Sequence, residues 1–184
     1  MNRREFLTGL TGLMIFPNTA LASPEPFPDI TGKDDTNQLI ELKPLYQRKK
    51  TVINMWYAGC GICIKEIPKL NILHTRINVI SLGVITSEEH NNLEDTQREI
   101  TYLKKYQETM THPHVIIGMA DYKKLENLYR YQHPDFKGLL MFPTFFLIDS
   151  NGLCTYSRMG ALLDNFQNPT SNYTSLEQAI AKAK

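Results

Sequence analysis

Apolar and polar positions change their spacing several times along this chain, and each change marks an element. Thr51-Val-Ile-Asn-Met-Trp-Tyr57 is almost continuously apolar, β-branched and aromatic, the pattern of a strand buried on both faces. From Gly61 to about Arg76 the residues Ile62, Ile67, Leu70 and Leu73 fit a helix, with a kink expected at Pro68. Val79, Ile80, Leu82, Val84 and Ile85 predict a second buried strand over 78–86. Leu93, Ile100, Leu103, Tyr106 and Met110 then recur at three- and four-residue steps through a charged segment, which predicts an amphipathic helix. Val115-Ile-Ile117 predicts a short strand, and Tyr122 to Tyr131 a short helix with Leu125 and Leu128 inward.

Thr144 to Ile148 and Leu153 to Met159, joined by Asp149-Ser-Asn-Gly152, predict a β-hairpin. A last helix is expected from about Ser175, with Thr174 and Glu177 spaced as a capping box. The order β-α-β-α-β-α-β-β-α implies crossover connections with parallel pairing, closed by one antiparallel hairpin. The fold class is therefore α/β, a central mixed sheet flanked by helices, over residues 51–184. Residues 23–50 form an N-terminal extension. Its first six residues hold three prolines and predict an extended lead-in, and Leu39, Ile40, Leu42 and Leu45 offer a short strand or a turn of helix.

Residues 1–22 read as an export signal. Arg3-Arg4 precedes a weakly apolar stretch, Phe6 to Phe16, and Ala20-Leu21-Ala22 is a small-x-small cleavage site. Asn2-Arg3-Arg4-Glu5-Phe6-Leu7 resembles the twin-arginine export motif, and an ordinary secretion signal is the alternative. Both routes end outside the cytoplasm, which places the protein in the periplasm, anchored at the membrane if the signal is retained. Removing the leader leaves 18 basic and 18 acidic residues among 162. Such neutrality argues against a nucleic-acid binder. The three cysteines all lie beyond the leader, in a compartment where disulfides persist. They are too few for a disulfide-knotted scaffold.

Cys60-Gly61-Ile62-Cys63 sits where the first strand meets the first long helix. A cysteine at a helix N-terminus faces unpaired backbone N–H groups and the positive end of the dipole, which favour the thiolate. Two cysteines three residues apart in a first turn lie within disulfide reach. Cys60, at the cap, is expected to attack substrate, and Cys63, one turn in and less exposed, to resolve the mixed disulfide. A zinc half-site is the bland alternative, but it lacks a second ligand pair: the other candidates are Cys154 and five scattered histidines. Cys154 reads as a buried small hydrophobe, and His112-Pro-His114 as a polar loop before a strand.

The segment Trp56-Tyr-Ala-Gly-Cys60-Gly-Ile-Cys63-Ile-Lys-Glu66-Ile-Pro68-Lys-Leu70, with Asn54 before it, resembles the active-site segment of exported thioredoxin-like reductases of the TlpA/ResA type. Phe142-Pro143-Thr144-Phe-Phe-Leu-Ile-Asp149-x-x-Gly152 resembles the same family's cis-proline loop, strand and hairpin turn. The resemblance runs from about Ile53 to the C-terminus. It implies a thioredoxin fold, a cis Pro143 beside the dithiol, and a Phe142 backbone that pairs with an extended substrate segment. It also implies supporting roles for Trp56 and Glu66, although a surface or helix-packing carboxylate is the alternative for Glu66. Asn54 stands where cytoplasmic thioredoxins carry a buried Asp that deprotonates the inner thiol. Exported relatives place an acid near the end of the next strand instead. Here that region reads Thr86-Ser87-Glu88-Glu89, which makes Glu88 the candidate proton acceptor, with a solvated helix-start glutamate as the alternative.

Two positions depart from the family pattern. Gly59 replaces the aromatic that often precedes the first cysteine, and Tyr57 replaces a small residue after the tryptophan. The stretch 132–142 is also longer than the family implies. The function expected is that of a periplasmic protein-disulfide reductase with no cofactor beyond the Cys60–Cys63 disulfide. Its expected partners are proteins bearing cysteines and a membrane electron donor, and it is expected to act as a monomer. The alternatives are a copper-handling or redox-sensing module on the same fold, and a disulfide oxidase.

Overall fold

A computed structural model describes residues 24–34, 36–87, 93–162 and 172–183. The leader 1–22 and Glu88 lie outside the described residues. The described residues form thirteen elements in chain order. The first four occupy the extension: β1 (Glu25–Pro26), β2 (Thr31–Lys33), β3 (Leu39–Glu41) and α1 (Lys43–Tyr46). The remainder are β4 (Thr51–Tyr57), α2 (Gly61–His74), β5 (Asn78–Val84), α3 (Leu93–Gln107), β6 (His114–Ile117), α4 (Met119–Gln132), β7 (Thr144–Ile148), β8 (Leu153–Met159) and α5 (Asn172–Lys182).

The described strands make one eight-stranded sheet in the order β1-β8-β7-β4-β5-β6-β2-β3. β4 and β5 pair in parallel, as do β5 and β6, because a helix crosses over between each pair. β7 runs antiparallel to β4 on its other side, with Asn54 opposite Phe145, and β8 closes the hairpin. In the turn, the Asp149 carboxylate accepts the amides of Asn151 and Leu153, both at 2.9 Å, while Gly152 takes φ +83°. That positive φ carries no Cβ penalty only at glycine.

The extension strings along the sheet from one edge to the other. β1 pairs with β8, and β2 pairs with β6 at the opposite edge. Between them Phe27 and Ile30 are buried in the core under α4. Gly32 permits the approach to β6, since a Cβ there would meet Val115 at 2.5 Å and the Ile116 carbonyl at 2.6 Å. Among the described residues of 29–42, only Ile30, Gly32 and Leu42 are buried, so the periodicity there is too short and sparse to announce these strands.

Each sheet face has its own core. One packs Ile53, Met55, Ile80 and Leu82 against Tyr122, Leu125 and Tyr129 of α4. The other packs Val52, Val79 and Phe145 against Leu70 and Leu73 of α2 and Leu176 of α5. α2 buries Cys63, Glu66, Ile67, Leu70 and Leu73 and continues through Pro68 for 14 residues as one helix, so the expected kink does not divide it. Leu93, expected inward, is 85% exposed because it is the first residue of α3 rather than part of its packed face. α5 begins at Asn172, which puts Thr174 inside the helix rather than at its cap.

Candidate active site

β4 is a central strand of the sheet and ends at Tyr57, where the chain turns at once into α2. The Cys60 amide donates to the Tyr57 carbonyl at 3.0 Å and the Gly61 amide to the Gly59 carbonyl at 3.1 Å, which closes that turn. Cys60 is thereby the N-cap of α2, and its Sγ accepts the Cys63 amide at 3.2 Å. Cys60 and Cys63 form a disulfide, their Cα atoms 5.3 Å apart. Cys60 is 6% exposed and Cys63 2%, so the capping sulfur is the more open of two shielded ones. Gly61 has nothing around its Cα to meet a side chain, which leaves the approach over the cap open.

The pair belongs to a cluster with Trp56, Ile85, Leu103 and Ile116, against which Tyr57, Ala58, Tyr106 and Phe142 pack. The Phe142–Pro143 peptide bond is cis. The Gly160 amide donates to the Pro143 carbonyl at 2.9 Å, and the Thr144 hydroxyl donates to the Met141 carbonyl, so the loop is anchored on both sides. The amide and carbonyl of Phe142 make no hydrogen bond among the described residues. The loop therefore presents one free backbone step against the cysteine cluster.

Behind the disulfide lies a buried polar strip. Asn54 donates to the Ser81 hydroxyl at 3.3 Å, and that hydroxyl lies 2.8 Å from His112 Nε2. His112 Nδ1 lies 3.1 Å from Asn71 Oδ1. His114, opposite Ser81 on β6, packs on Trp56 with ring centroids 5.6 Å apart. Burial, with His74 nearby, pushes His112 down to about 4; burial, with His112 nearby, pushes His114 down to about 3. Both are neutral at physiological pH. The polar loop expected at His112-Pro-His114 is thus corrected: both rings are buried, because the segment enters β6 directly beneath α2 and α3. Both ring nitrogens of His114, the Asn54 Oδ1 and the Trp56 Nε1 have no partner among the described residues.

Two carboxylates border this region. Glu66 is fully buried, and its carboxylate accepts the Leu162 amide, which ties α2 to the chain beyond β8. A surface role for it is excluded. Among the described residues, the acid near the end of β5 is Glu99, which α3 supplies and sequence reasoning missed. Its carboxylate accepts the Thr86 amide at 2.8 Å and the Ser87 amide at 3.0 Å, together with both hydroxyls. Burial would raise its pKa, but these four donors outweigh burial and hold it below the usual carboxylate value. The signal lay in tertiary contact, 12 to 13 residues away along the chain, where no motif reaches.

A family model described as Redoxin matches residues 22–175. The chain belongs to the Redoxin family. Solved structures similar to this redoxin place it more narrowly in fold. A thioredoxin-family thiol:disulfide interchange protein from Chlorobium tepidum matches with a TM-score of 0.58 at 17% identity, covering 88% of this chain and 97% of that one. The thioredoxin domain of a thiol-disulfide oxidoreductase from Bacteroides vulgatus matches with a TM-score of 0.55 at 19% identity, covering 85% and 96%. An exposed lipoprotein thioredoxin from Streptococcus pneumoniae matches with a TM-score of 0.51 at 16% identity, covering 82% and 99%. No curated protein matches by sequence. The redoxin is a thiol-disulfide oxidoreductase of thioredoxin fold, with Cys60 and Cys63 as its C-x-x-C pair.

Proposed function

We propose that the protein is a periplasmic protein-disulfide reductase, a monomer recharged by a membrane electron donor. The observation that carries this reading is the electrostatic plainness of the cap. The Cys60 sulfur has a backbone amide as its donor, and Gly61 and Ile62 between the cysteines bring no charge and no side-chain donor. A thiolate stabilised by a helix N-terminus alone is moderately, not extremely, favoured, which keeps the dithiol on the reducing side. The leader-like residues 1–22 support an extracytoplasmic site of action, as does the exposed lipoprotein thioredoxin among its structural relatives. No described helix is long and apolar enough to cross a membrane.

The chemistry follows from the geometry. The Cys60 thiolate attacks one sulfur of a substrate disulfide and expels the other as a thiolate, forming a mixed disulfide. The Phe142 backbone holds the substrate segment as an added strand during this step. Cys63 then gives its proton to solvent and attacks Cys60 Sγ, which breaks the mixed disulfide, releases the second substrate sulfur as a thiolate that takes up a proton, and closes the Cys60–Cys63 disulfide. Two electrons pass to the substrate. Glu99, saturated with donors and held ionised, is unsuited to taking the Cys63 proton, and Asn54 has no basic group. Trp56, 1% exposed and in the cysteine cluster, reports the redox state by fluorescence.

Equilibration with glutathione, followed through Trp56, measures the potential. A value below about −200 mV is expected; a value near about −120 mV, that of a strong oxidant, would overturn the reductase reading.

A further inference from the structure

Between Trp56 and Cys60 the chain reads Tyr57-Ala58-Gly59, and the two departures from the family pattern there are coupled in space. A Cβ added at Gly59 would lie 2.6 Å from Cε2 of Tyr57, 3.3 Å from its Cζ and 3.4 Å from its hydroxyl. The ring therefore lies over Gly59, in the volume that a side chain just before Cys60 would enter. The same ring packs against Phe142 with centroids 5.0 Å apart, and Phe142 packs against Tyr122 at 5.9 Å. Tyr57 and Phe142 both rest on the cluster that contains the two cysteines. One aromatic side chain thus joins the dithiol turn to the loop before Pro143.

The two segments beside this contact carry uncharged, mostly apolar side chains, and the Arg130 guanidinium meets the start of the loop, where it donates to the Gly138 carbonyl at 2.7 Å. Ile62, between the cysteines, is 45% exposed; Leu139 and Met141, leading into Phe142, are 78% and 64% exposed. The Met141 amide reaches the Met159 sulfur at 3.3 Å, which adds a soft, polarisable side chain to the same loop. No charged residue occurs from Tyr57 to Ile64 or from Gly138 to Ile148. A substrate sulfur must come to Cys60 over the cap, so the residues around that sulfur lie against this wall. It is continuous with the reacting disulfide.

We propose that Tyr57 is a specificity-determining residue: its ring fills the space above Gly59, packs on Phe142, and completes an apolar wall that selects extended segments whose cysteine is flanked by apolar side chains. Such segments are those of incompletely folded proteins, since folding buries them. The proposal rests on the reductase reading for the direction of the reaction, not for the selection itself.

The test uses two synthetic peptides, each carrying one cysteine as a glutathione mixed disulfide. One has Leu, Val and Phe beside the cysteine; the other has Ser, Asn and Gly. The reduced protein gives its two electrons to the mixed disulfide, yielding peptide thiol, glutathione and the Cys60–Cys63 disulfide. In this single turnover the wild type is expected to favour the apolar peptide in second-order rate constant by about tenfold. Tyr57→Ala brings the ratio close to one, Tyr57→Phe keeps it, and Gly59→Ala loses it because the new methyl displaces the ring. The double variant Tyr57→Ala/Gly59→Ala loses no more than Tyr57→Ala, since the two changes act on one contact. An unselective wild type, a ratio retained in Tyr57→Ala or in Gly59→Ala, or additive losses would each overturn the proposal. If Tyr57→Ala does not fold, Tyr57→Phe and Gly59→Ala decide between the outcomes. If the wild type reduces neither peptide, the reductase reading fails. The same ratio is then measured in the oxidising direction, on two dithiol peptides with the same flanking residues.

Discussion

Cys60 and Cys154 are the same residue type in one small domain, yet their surroundings make them chemical opposites. Cys60 caps a helix, points its sulfur at a backbone N–H, and sits at the end of a strand where the chain leaves the sheet. Cys154 lies within β8, fully buried, with its sulfur near the Tyr156 carbonyl and the Gln132 side chain. Burial outweighs those hydrogen bonds and pushes its thiol up to about 12, so it carries essentially no thiolate at neutral pH. The polar groups around the two sites differ in the same sense. Near Cys154, Gln132 bonds the Cys154 carbonyl at 2.8 Å and the Ser157 hydroxyl at 2.5 Å, and His133 Nε2 lies 3.0 Å from that hydroxyl. Near the dithiol, Asn54, Trp56 and His114 each keep at least one buried atom without a partner among the described residues. Beside Cys154, the side chains of Gln132, Ser157 and His133 bond one another, whereas the reactive side leaves several polar atoms open, as sites that do chemistry tend to.

The sharpest way to break this contrast is to exchange the reactive sulfurs. Cys60→Ser is expected to abolish disulfide reduction, whereas Cys63→Ser leaves a protein that accumulates mixed disulfides through Cys60, recoverable by non-reducing electrophoresis and mass spectrometry. Equal yields of mixed disulfide from both variants would contradict the assignment of attack to the cap. Next in size is alkylation of the reduced protein. Iodoacetamide at neutral pH should modify Cys60 well before Cys154, which becomes reactive only on unfolding; peptide mapping showing early label on Cys154 would remove the distinction.

The unpartnered histidine gives the third test. A buried imidazole whose pKa falls from 6.5 to about 3 or 4 binds fewer protons folded than unfolded. Stability conferred by the neutral form is present above about pH 6.5 and is lost as pH falls toward 4 for His112 and 3 for His114, by at most about 1.4 kcal/mol per pH unit for each. Urea unfolding at a series of pH values measures this slope. His114→Phe, which replaces two unpartnered nitrogens by carbon, should flatten the slope and raise stability at pH 5. A slope unchanged by that substitution would show that His114 is not the group responsible. The smallest effect is expected at the structural cysteine: Cys154→Ala should cost about 1 kcal/mol in unfolding free energy and leave the potential of the dithiol where it was. A shifted potential would mean that the two cysteine regions are coupled.

The sequence by itself determined the elements that carry strong periodicity and the chemistry that sits at their junctions. Thr51–Tyr57, Asn78–Val84 and the 144–159 hairpin read as strands because continuous β-branched and aromatic runs have few other ways to be buried. Cys60 and Cys63 were legible because a strand-to-helix boundary is a local event, and the helix terminus acts on the sulfur within one turn. Everything that depended on distant segments meeting was decided only in three dimensions. The short strands β1 and β2 gain their partners from β8 and β6, far along the chain, and β3 is added beside β2. Glu99 reaches the end of β5 from a helix, and His112 and His114 become core residues because α2 and α3 cover the strand they lead into. The ring of Tyr57 finds both Gly59 and Phe142, a contact that joins neighbours three residues before Cys60 to a loop 85 residues further on. Local pattern reports which face of an element is apolar; which side chains from other elements arrive at that face is set by packing, and packing is a property of the whole fold.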